Sequence, residues 1–298
     1  MLDGYTTIAF FGVDNRSNGN FDSGNSDTIM LCNINNYTKQ EELVSEYRDT
    51  LMDVDGEETF RKCNYAFNHG GIDSALAMLN RNLDLNITDY VAVDFMALVA
   101  AVDAVDGIDI ELTDAEVEAM NGGYIGEVGA IVGKDANPVS AGSQHLDGVQ
   151  ATAYCRIRST AGDDFRRTER QRTVLTQIIA KAKSASPTQL ASLITGVFPD
   201  VDTSIDMDQL LYLAKNMMDY DLGETKGFPF SKTTDRFGDS IGDAVVPCSL
   251  ESNVVLLHQE LYEDSEYQAP DSLKKISDGL IDFTGYGAGD GDGSRLWD

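Results

Sequence analysis

The sequence predicts an α/β fold in a single domain. Over the first hundred residues, short β-rich runs alternate with segments of helical period. No Pro-rich or Ser-rich linker and no internal repeat divides the 298 residues, a length that suits one large domain. The hydrophobic content of 42%, with 8% aromatic residues, is enough for a sizeable core.

The first half of the chain contains the clearest elements. Three β-rich runs come first, and each ends in polar residues: TTIAFFGV, DTIMLCNI and ELVSEY. After Gly70-Gly71 the period becomes helical, with apolar residues on one stripe: Ile72, Ala75, Leu76, Leu79 and Leu83. The segment YVAVDFMALVAAVDAVDGIDIEL then reads as strand, buried helix and strand. This order predicts a mostly covered sheet.

The second half is predicted to be mainly helical. A Gly-rich loop is predicted at residues 121–133. After it, QATAYCRIRS has strand character, and TERQRTVLTQIIAKAK predicts a helix from about Thr168. Three more helices are predicted from SPTQLASLITGVF, which Ser186 can cap, MDQLLYLAKNMM and ESNVVLLHQELY. The glycine-rich end predicts a disordered tail at residues 281–298.

The charge is strongly negative, with 22 basic and 50 acidic residues and a formal charge of −28. This excludes a general nucleic-acid binder, which needs many Lys and Arg to neutralise phosphates. The stretch RIRSTAGDDFRRTERQR at residues 156–172 nevertheless contains six arginines and no lysine. Arginine suits bidentate phosphate contact, so a phosphate or pyrophosphate site is the sharper interpretation. A solvated surface face with ion-paired arginines is the alternative.

The spacing within this block suggests how it binds an anion. On a strand, Arg156 and Arg158 point to one face. On a helix that starts near Thr168, three side chains share one face at the N-terminus, where free N–H groups favour an anion: Arg167, Arg170 and Gln171. The two sets are predicted to converge on one anion, and the remaining arginines, Arg166 and Arg172, are interpreted as surface charge.

Cysteine usage leaves two possibilities open. The four cysteines are far apart and form no CxxC pair, so two disulfides or four thiols are both compatible with the sequence: Cys32, Cys63, Cys155 and Cys248. No run of about 18 apolar residues occurs, which predicts a soluble chain as presented. A start without a leader suggests an ectodomain separated from a membrane anchor.

Several motifs together resemble one protein family. YCRIR followed by DDFRRTERQR resembles the R-x-R and D-F-x-R-T-x-R-Q pattern of the LytR-CpsA-Psr family of cell-wall glycopolymer transferases. Four further motifs are similar to family landmarks in the same order: FFGVDNRS, SDTIMLCNIN, VSEYRDTLMDV and KCNYAFNHGG. The resemblance is best over residues 5–180, and a family-like helical section follows to about 265, within a catalytic domain of residues 1–280.

The resemblance implies a central mixed sheet flanked by helices, enclosing a lipid-binding groove. It implies transfer of an anionic glycopolymer, such as teichoic acid or capsule, from a polyprenyl-pyrophosphate carrier to peptidoglycan by phosphotransfer. It places the protein at the extracellular face of a bacterial cytoplasmic membrane, held by one N-terminal anchor. The exported location favours disulfides, for which we expect Cys32–Cys63 and Cys155–Cys248. A non-catalytic polyprenyl-phosphate binder and a lipid pyrophosphatase are the alternatives.

The resemblance also assigns roles to residues. Mg²⁺ is expected on Asp14 and Asp27. The phosphates are expected on Arg48, Arg156, Arg158, Arg167, Arg170 and Gln171. Catalysis is assigned to Arg48, Asp14 and Arg167, with Asp14 as the proton acceptor. Arg16, Asp49 and Asp164 are expected to support them.

The chain departs from the family pattern at four positions. Asn25 stands where Arg is common, two residues before the Asp of the S-D-T motif. Glu46 occupies a site that is usually apolar or neutral. Arg166 and Asp106 each replace a common glycine. Loss of the Arg at position 25 removes one expected phosphate contact.

Overall fold

The computed structural model describes residues 4–14, 21, 24–159 and 163–291 of the chain. The strands are β1 (Tyr5–Asp14), β2 (Asn25–Asn35), β3 (Gln40–Glu46), β4 (Leu51–Asp53), β5 (Phe60–Lys62), β6 (Asp89–Val93), β7 (Ile108–Leu112), β8 (Gly142–Leu146), β9 (Val201–Thr203), β10 (Asp221–Phe228), β11 (Lys232–Phe237) and β12 (Gly242–Pro247). The helices are α1 (Asn64–Leu83), α2 (Phe95–Ala104), α3 (Asp114–Ala119), α4 (Ile125–Val132), α5 (Gly148–Arg156), α6 (Asp163–Ser184), α7 (Pro187–Val197), α8 (Met207–Asn216), α9 (Gly238–Ile241), α10 (Leu250–Tyr262) and α11 (Asp271–Thr284).

The main sheet is mixed and has six strands, in the order β10-β3-β2-β1-β6-β9. Strand β10 pairs parallel with β3, whereas β2 pairs antiparallel with β3 and β9 antiparallel with β6. The register sets Glu46, the last residue of β3, opposite Ile29 of β2 and Phe228 of β10. The predicted α/β class with a central mixed sheet and flanking helices is therefore confirmed.

The chain divides into two compact units. The first contains Met1–Phe11, Phe21–Tyr90 and Asp221–Asp298, and the second contains Gly12–Asn20 and Val91–Tyr220. The sequence analysis, which expected a single domain, did not predict this division. The core of the second unit joins α2, β7, α4 and α5 through buried apolar side chains such as Val102, Ile110, Val128 and Ala151.

The segment predicted as the strand QATAYCRIRS is helical, which corrects the sequence analysis. Helix α5 covers it up to Arg156. Asp147 starts the helix: its carboxylate accepts from Gln150 N, and Gln150 Oε1 accepts from Asp147 N, each at 2.9 Å. The first eight residues of the helix are all buried, so no apolar stripe of helical period exists to reveal it.

The Gly-rich loop predicted at residues 121–133 is also helical. A π-helical turn at Met120–Tyr124 leads into α4, which ends at Gly133 with φ 67°. Met120, Val128 and Val132 are buried on this segment. Their packing outweighs the roughly 1 kcal/mol by which a mid-helix glycine is less favourable than alanine.

The other helices follow the sequence more closely. Helix α7 starts as predicted, because Ser186 Oγ accepts from Gln189 N at 3.3 Å and Pro187 occupies the first turn. Helix α6 begins at Asp163, five residues before Thr168. Helix α11 was not predicted and continues to Thr284, so the first four residues assigned to a tail are helical.

None of the four cysteines is joined in a disulfide, which corrects the predicted pairs Cys32–Cys63 and Cys155–Cys248. All four thiols are buried. The Cys63 thiol donates instead to the carbonyl oxygens of Arg48 at 3.1 Å and Tyr47 at 3.3 Å. Within the described ranges, no helix combines the length and the apolar character needed to cross a bilayer.

Candidate active site

Arg48 forms the centre of a charged group in the first unit. It follows β3, and its Nη1 lies 2.6 Å from Asp27 Oδ1 on β2. Its Nε lies 3.5 Å from Asp49 Oδ2. The side chains of Arg48, Asp27 and Asp49 are each 17% exposed, so the group is mostly buried but still reaches solvent. One guanidinium therefore bridges two carboxylates.

Lys62 extends this group and was not predicted. Its Nζ lies 3.1 Å from Asp49 Oδ1, the carboxylate oxygen that Arg48 does not contact at Nε. The four side chains carry two positive and two negative formal charges, so their net charge is zero. Arg48 therefore orients Asp27 and Asp49, and its own charge is balanced within the group. The sequence signal that could have identified Lys62 is its place as the first residue of the KCNYAFNHGG motif.

Three backbone hydrogen bonds from neighbouring segments hold the turn that carries Arg48. Asn64 N donates to Arg48 O at 3.2 Å, and Val245 N donates to Asp49 O at 2.9 Å. Cys63 N donates to Thr50 O at 2.8 Å. These bonds come from the start of α1 and from β12. The guanidinium is thus presented by a rigid turn rather than by a mobile loop.

Glu46 is the last residue of β3, immediately before this turn, and is 3% exposed. Burial raises the pKa of its carboxyl well above its usual range, and the Thr50 hydroxyl, which favours the charged form, does not offset this. The Glu46 charge also contributes, after burial, to raising the pKa of the Cys63 thiol. At this departure from the family pattern the chain therefore buries a carboxyl whose protonated form is favoured.

A second group of arginines lies in the second unit, and Arg170 is its anchor. Arg170 Nε donates to Glu116 Oε1 at 2.8 Å, and its Nη1 donates to Ile157 O at 3.2 Å. The two charged side chains are 7% and 11% exposed. The Tyr154 ring lies 5.8 Å from the guanidinium. Arg170 therefore fastens the segment after α5, and its charge is balanced by Glu116.

Arg156 and Arg158 stand on either side of that fastened Ile157. Arg156 ends α5, with its guanidinium 4.8 Å from the centre of the Phe95 ring and its Nη1 3.4 Å from Glu127 Oε2. Arg158 is exposed, and its backbone N donates to the Tyr124 hydroxyl at 3.1 Å. The predicted strand face does not exist, but the two arginines remain neighbours at the end of a helix.

Arg167 and Gln171 do not lie at a helix N-terminus, which corrects that part of the prediction. Because α6 begins at Asp163, they lie one to two turns inside it. Their predicted common face is present, since Arg167 is 1% and Gln171 9% exposed and the buried Val174 continues the stripe. The free N–H groups of a helix N-terminus are therefore not available beside these two side chains.

The remaining predicted residues have separate outcomes. Arg166 is a surface charge as predicted, 62% exposed and 3.0 Å from Glu169 Oε2. Arg172 is half-buried, which corrects its interpretation as surface charge. Asp14 is half-buried at the end of β1. Arg16 and the side chain of Asp164 lie outside the described residues.

A metal ion was expected on Asp14 and Asp27. Among the described residues, no three His, Cys, Asp or Glu side chains form a cluster that holds a metal. Mg²⁺ commonly binds through one or two carboxylates and completes its shell with substrate phosphate oxygens and water. The two aspartates fit that donor chemistry, and one oxygen of Asp27 is already bonded to Arg48.

Comparison of the sequence with known proteins identifies a family and relatives. The sequence model of the LytR_cpsA_psr family matches residues 2–234. A protein of Enterococcus faecalis named polyisoprenyl-teichoic acid–peptidoglycan teichoic acid transferase TagU is 30% identical over 210 residues, which cover 70% of this chain and 64% of the relative. The match thus spans slightly less than two thirds of the length of that relative.

Solved structures share the fold. Protein gbs0355 of Streptococcus agalactiae superposes with a TM-score of 0.73 at 22% identity, covering 89% of each chain. YwtF (TagT), a Bacillus subtilis protein solved with bound octaprenyl pyrophosphate, superposes with a TM-score of 0.61 at 17% identity, covering 95% of this chain and 91% of the other. These likenesses confirm the architecture of the domain.

Proposed function

Because the chain belongs to the LytR_cpsA_psr family, we propose that it transfers an anionic glycopolymer from a polyprenyl-pyrophosphate carrier to peptidoglycan. Its sequence relatives are named as teichoic acid transferases of this kind. The observation that carries the proposal is the bridge from Arg48 to Asp27 and Asp49 on a turn held by three backbone hydrogen bonds. Such a turn presents charge to a phosphate at a fixed position.

The reaction is an in-line displacement at phosphorus. A peptidoglycan sugar hydroxyl attacks the phosphorus next to the glycopolymer, and the bond from that phosphorus to the bridging oxygen breaks. Polyprenyl phosphate leaves, the glycopolymer phosphate is joined to peptidoglycan, and the hydroxyl proton passes to a carboxylate, which we assign to Asp14. The protein has little covalent work to do, so positioning and charge neutralisation supply the rate.

The arginines divide this work. Arg48 donates to the phosphate oxygens while its carboxylate partners hold its orientation. Arg156 and Arg158 donate from the end of α5, and Arg167 supports them from α6. Arg170 and Gln171 were expected to bind phosphate as well. The Glu116 bond makes Arg170 a positioning residue that fixes Ile157, between the other two arginines.

Magnesium is part of the proposal. Asp14 and Asp27 would hold the ion, and it would offset charge on the pyrophosphate oxygens when bound. Asp27 is already oriented by Arg48, so the carboxylate needs no rearrangement to be presented. Asp49 keeps Arg48 in place, and Arg16 and Asp164 are proposed as further support.

The chemistry of the carrier determines where the reaction takes place. A long polyprenyl tail partitions from water into a bilayer, so the protein is proposed to work against the outer face of a bacterial cytoplasmic membrane, held there by an N-terminal anchor. A groove between sheet and helices would take the first isoprene units.

The test is release of polyprenyl phosphate from a polyprenyl-pyrophosphate-linked glycopolymer in the presence of peptidoglycan and Mg²⁺. We expect Arg48→Ala and Arg167→Ala to lower the rate by about 10²-fold to 10³-fold, the usual effect of removing one charge-stabilising donor. Arg166→Ala, in the same helix as Arg167 but exposed, is the matched control. Since Arg167 is buried, circular dichroism must show that its variant folds, and Arg167→Lys is the milder second variant. Full activity in both alanine variants would overturn the assignment.

The same assay separates the two alternatives. A non-catalytic binder retains the lipid without releasing polyprenyl phosphate. A pyrophosphatase releases it at the same rate without peptidoglycan, and ¹⁸O from labelled water appears on the phosphate that remains on the glycopolymer. A transferase requires the acceptor, and its product carries the acceptor oxygen. Chelation of Mg²⁺ should stop the release in either catalytic case.

A further inference from the structure

The first two turns of α1 carry an exposed aromatic pair beside the Arg48 group. The rings of Tyr65 and His69 stack with centroids 3.6 Å apart and planes at 13°. The Tyr65 side chain is among the exposed large hydrophobic groups, at 38%. His69 Nδ1 lies 3.0 Å from Tyr65 O. A carbonyl only accepts, so Nδ1 is the donor in this contact, and the His69 side chain is exposed.

A pair of amides completes this surface. Asn68, on the same two turns, donates from Nδ2 to Asn25 Oδ1 at 2.6 Å. Both asparagines are exposed. Each retains amide groups beyond this bond, since a primary amide offers two donors and two acceptor positions. Together, Asn25, Tyr65, Asn68 and His69 are called the Tyr65 platform here.

Two connections place the Tyr65 platform next to the charged group. Asn25 lies two residues before Asp27 on β2, and Asp27 is bonded to Arg48. Asn64, the residue before Tyr65, donates its backbone N to Arg48 O at 3.2 Å. The platform is therefore attached to the Arg48 turn both through β2 and through the start of α1.

The chemistry of the platform differs from that of its neighbour. It offers two ring faces, two amides and one imidazole nitrogen but no permanently charged group, whereas the adjacent group has four charged side chains. Aromatic faces attract the partly positive C–H groups of an apolar molecular face. Amides bind hydroxyls by paired donation and acceptance. A ring with hydroxyls at its edge and C–H groups on its face matches both, whereas a phosphate can accept from the amides but has no C–H face to pack on the rings.

We propose that the Tyr65 platform is a subsite for an uncharged sugar residue whose phosphate neighbour lies at Arg48. The inference rests on the proposed function for the identity of the phosphate. In this proposal Asn25 forms a hydrogen bond with a sugar hydroxyl. Asn25 is also the position at which the sequence departs from the family pattern by lacking an arginine. The sugar belongs either to the carrier-linked polymer or to the peptidoglycan acceptor, and both present the same chemistry.

The test compares three ligands by calorimetric titration with the folded chain. They are polyprenyl pyrophosphate without sugar, a polyprenyl-pyrophosphate-linked disaccharide, and a lipid-free peptidoglycan fragment. We expect Tyr65→Ala and Asn68→Ala each to weaken one of the two sugar ligands by roughly five- to tenfold, because one stacking contact or one hydrogen bond is lost. Binding of the sugarless lipid should change by less than about twofold, the scale of an unrelated surface change.

Two control variants distinguish loss of the Tyr65 ring from a general effect of substituting a tyrosine in this unit. Tyr65→Phe keeps the ring and should bind like the wild type. Tyr37→Ala removes a tyrosine that is 84% exposed in the same unit and should change nothing. Loss confined to the disaccharide lipid assigns the subsite to the donor, and loss confined to the peptidoglycan fragment assigns it to the acceptor.

Two outcomes would overturn the subsite. One is unchanged affinity of Tyr65→Ala and Asn68→Ala for both sugar ligands. The other is an equal loss for the sugarless lipid, which would mean that the platform contacts phosphate or lipid. Failure of the wild type to bind any polyprenyl pyrophosphate would instead contradict the proposed function. The lipid-free peptidoglycan fragment would still test the platform in that case.

Discussion

Arg170 Nε lies 2.8 Å from Glu116 Oε1, and neither side chain exposes more than 11% of its surface. The sequence analysis predicted that Arg170 binds phosphate. The structure instead pairs it with a carboxylate 54 residues away and with the carbonyl that precedes Arg158. A buried arginine bonded in this way holds other residues in place, so its removal should affect stability before it affects ligand binding.

Arg170→Met should lower the free energy of unfolding by about 3–5 kcal/mol, because it leaves the Glu116 charge buried without its partner. Urea denaturation followed by circular dichroism measures this. The control is Arg166→Ala, which breaks an exposed pair in the same helix and should cost at most about 1 kcal/mol. Adding Glu116→Gln to Arg170→Met should recover part of the loss. Equal effects of the two single variants would contradict the prediction.

Glu46→Gln should stabilise the protein at neutral pH. The pKa of Glu46 is raised in the folded state by burial, so the folded state keeps a proton that the unfolded state releases above its own pKa of about 4.3. Stability is therefore lost as the pH rises from that value toward the folded pKa.

The expected gain is about 1–3 kcal/mol at pH 7, the size of an unsatisfied buried polar group, and close to zero at pH 4. Urea denaturation of both proteins at the two pH values measures it. Destabilisation of Glu46→Gln at pH 7 would show that the charged form is the one the fold stabilises. Glu58→Gln, at a half-exposed position, is the control and should show no such pH-dependent gain.

Thiol titration should find four reactive groups in the unfolded, unreduced protein and almost none in the native protein. The thiols are buried, and burial raises the pKa of Cys155 to about 12. Thiolate is the reactive form, so both access and ionisation protect the native state. The same count after reduction is the control. Fewer than four groups before reduction would instead support the predicted disulfides.

Arg158→Ala should lower the transfer rate by about tenfold to 10²-fold while leaving the free energy of unfolding unchanged within about 0.5 kcal/mol. The side chain is exposed, and the backbone N, not the guanidinium, donates to the Tyr124 hydroxyl. Steady-state release of polyprenyl phosphate measures the rate. Arg166→Ala should retain the wild-type rate. A normal rate in Arg158→Ala would remove this residue from the phosphate-binding set.

Part of the fold could be predicted because its signals are local. The three opening strands and the helix α7 with its Ser186 cap follow from period and capping residues alone. Helix α5 was predicted as a strand because it is buried on all sides and therefore has no apolar stripe. Helix α4 was predicted as a loop because the segment is rich in glycine. The packing of its buried residues outweighs that composition, and the sequence does not reveal this packing.

The sequence by itself determined the family, the α/β class and the residue types available for chemistry, since these are written in the order and spacing of its motifs. Only the tertiary structure decided what each charge does. Arg48 meets Asp27 across 21 residues, and Arg170 meets Glu116 across 54. Such pairs are set by strand register and helix packing. Local period contains no information about them, because it describes which face a residue takes and not which distant residue lies opposite.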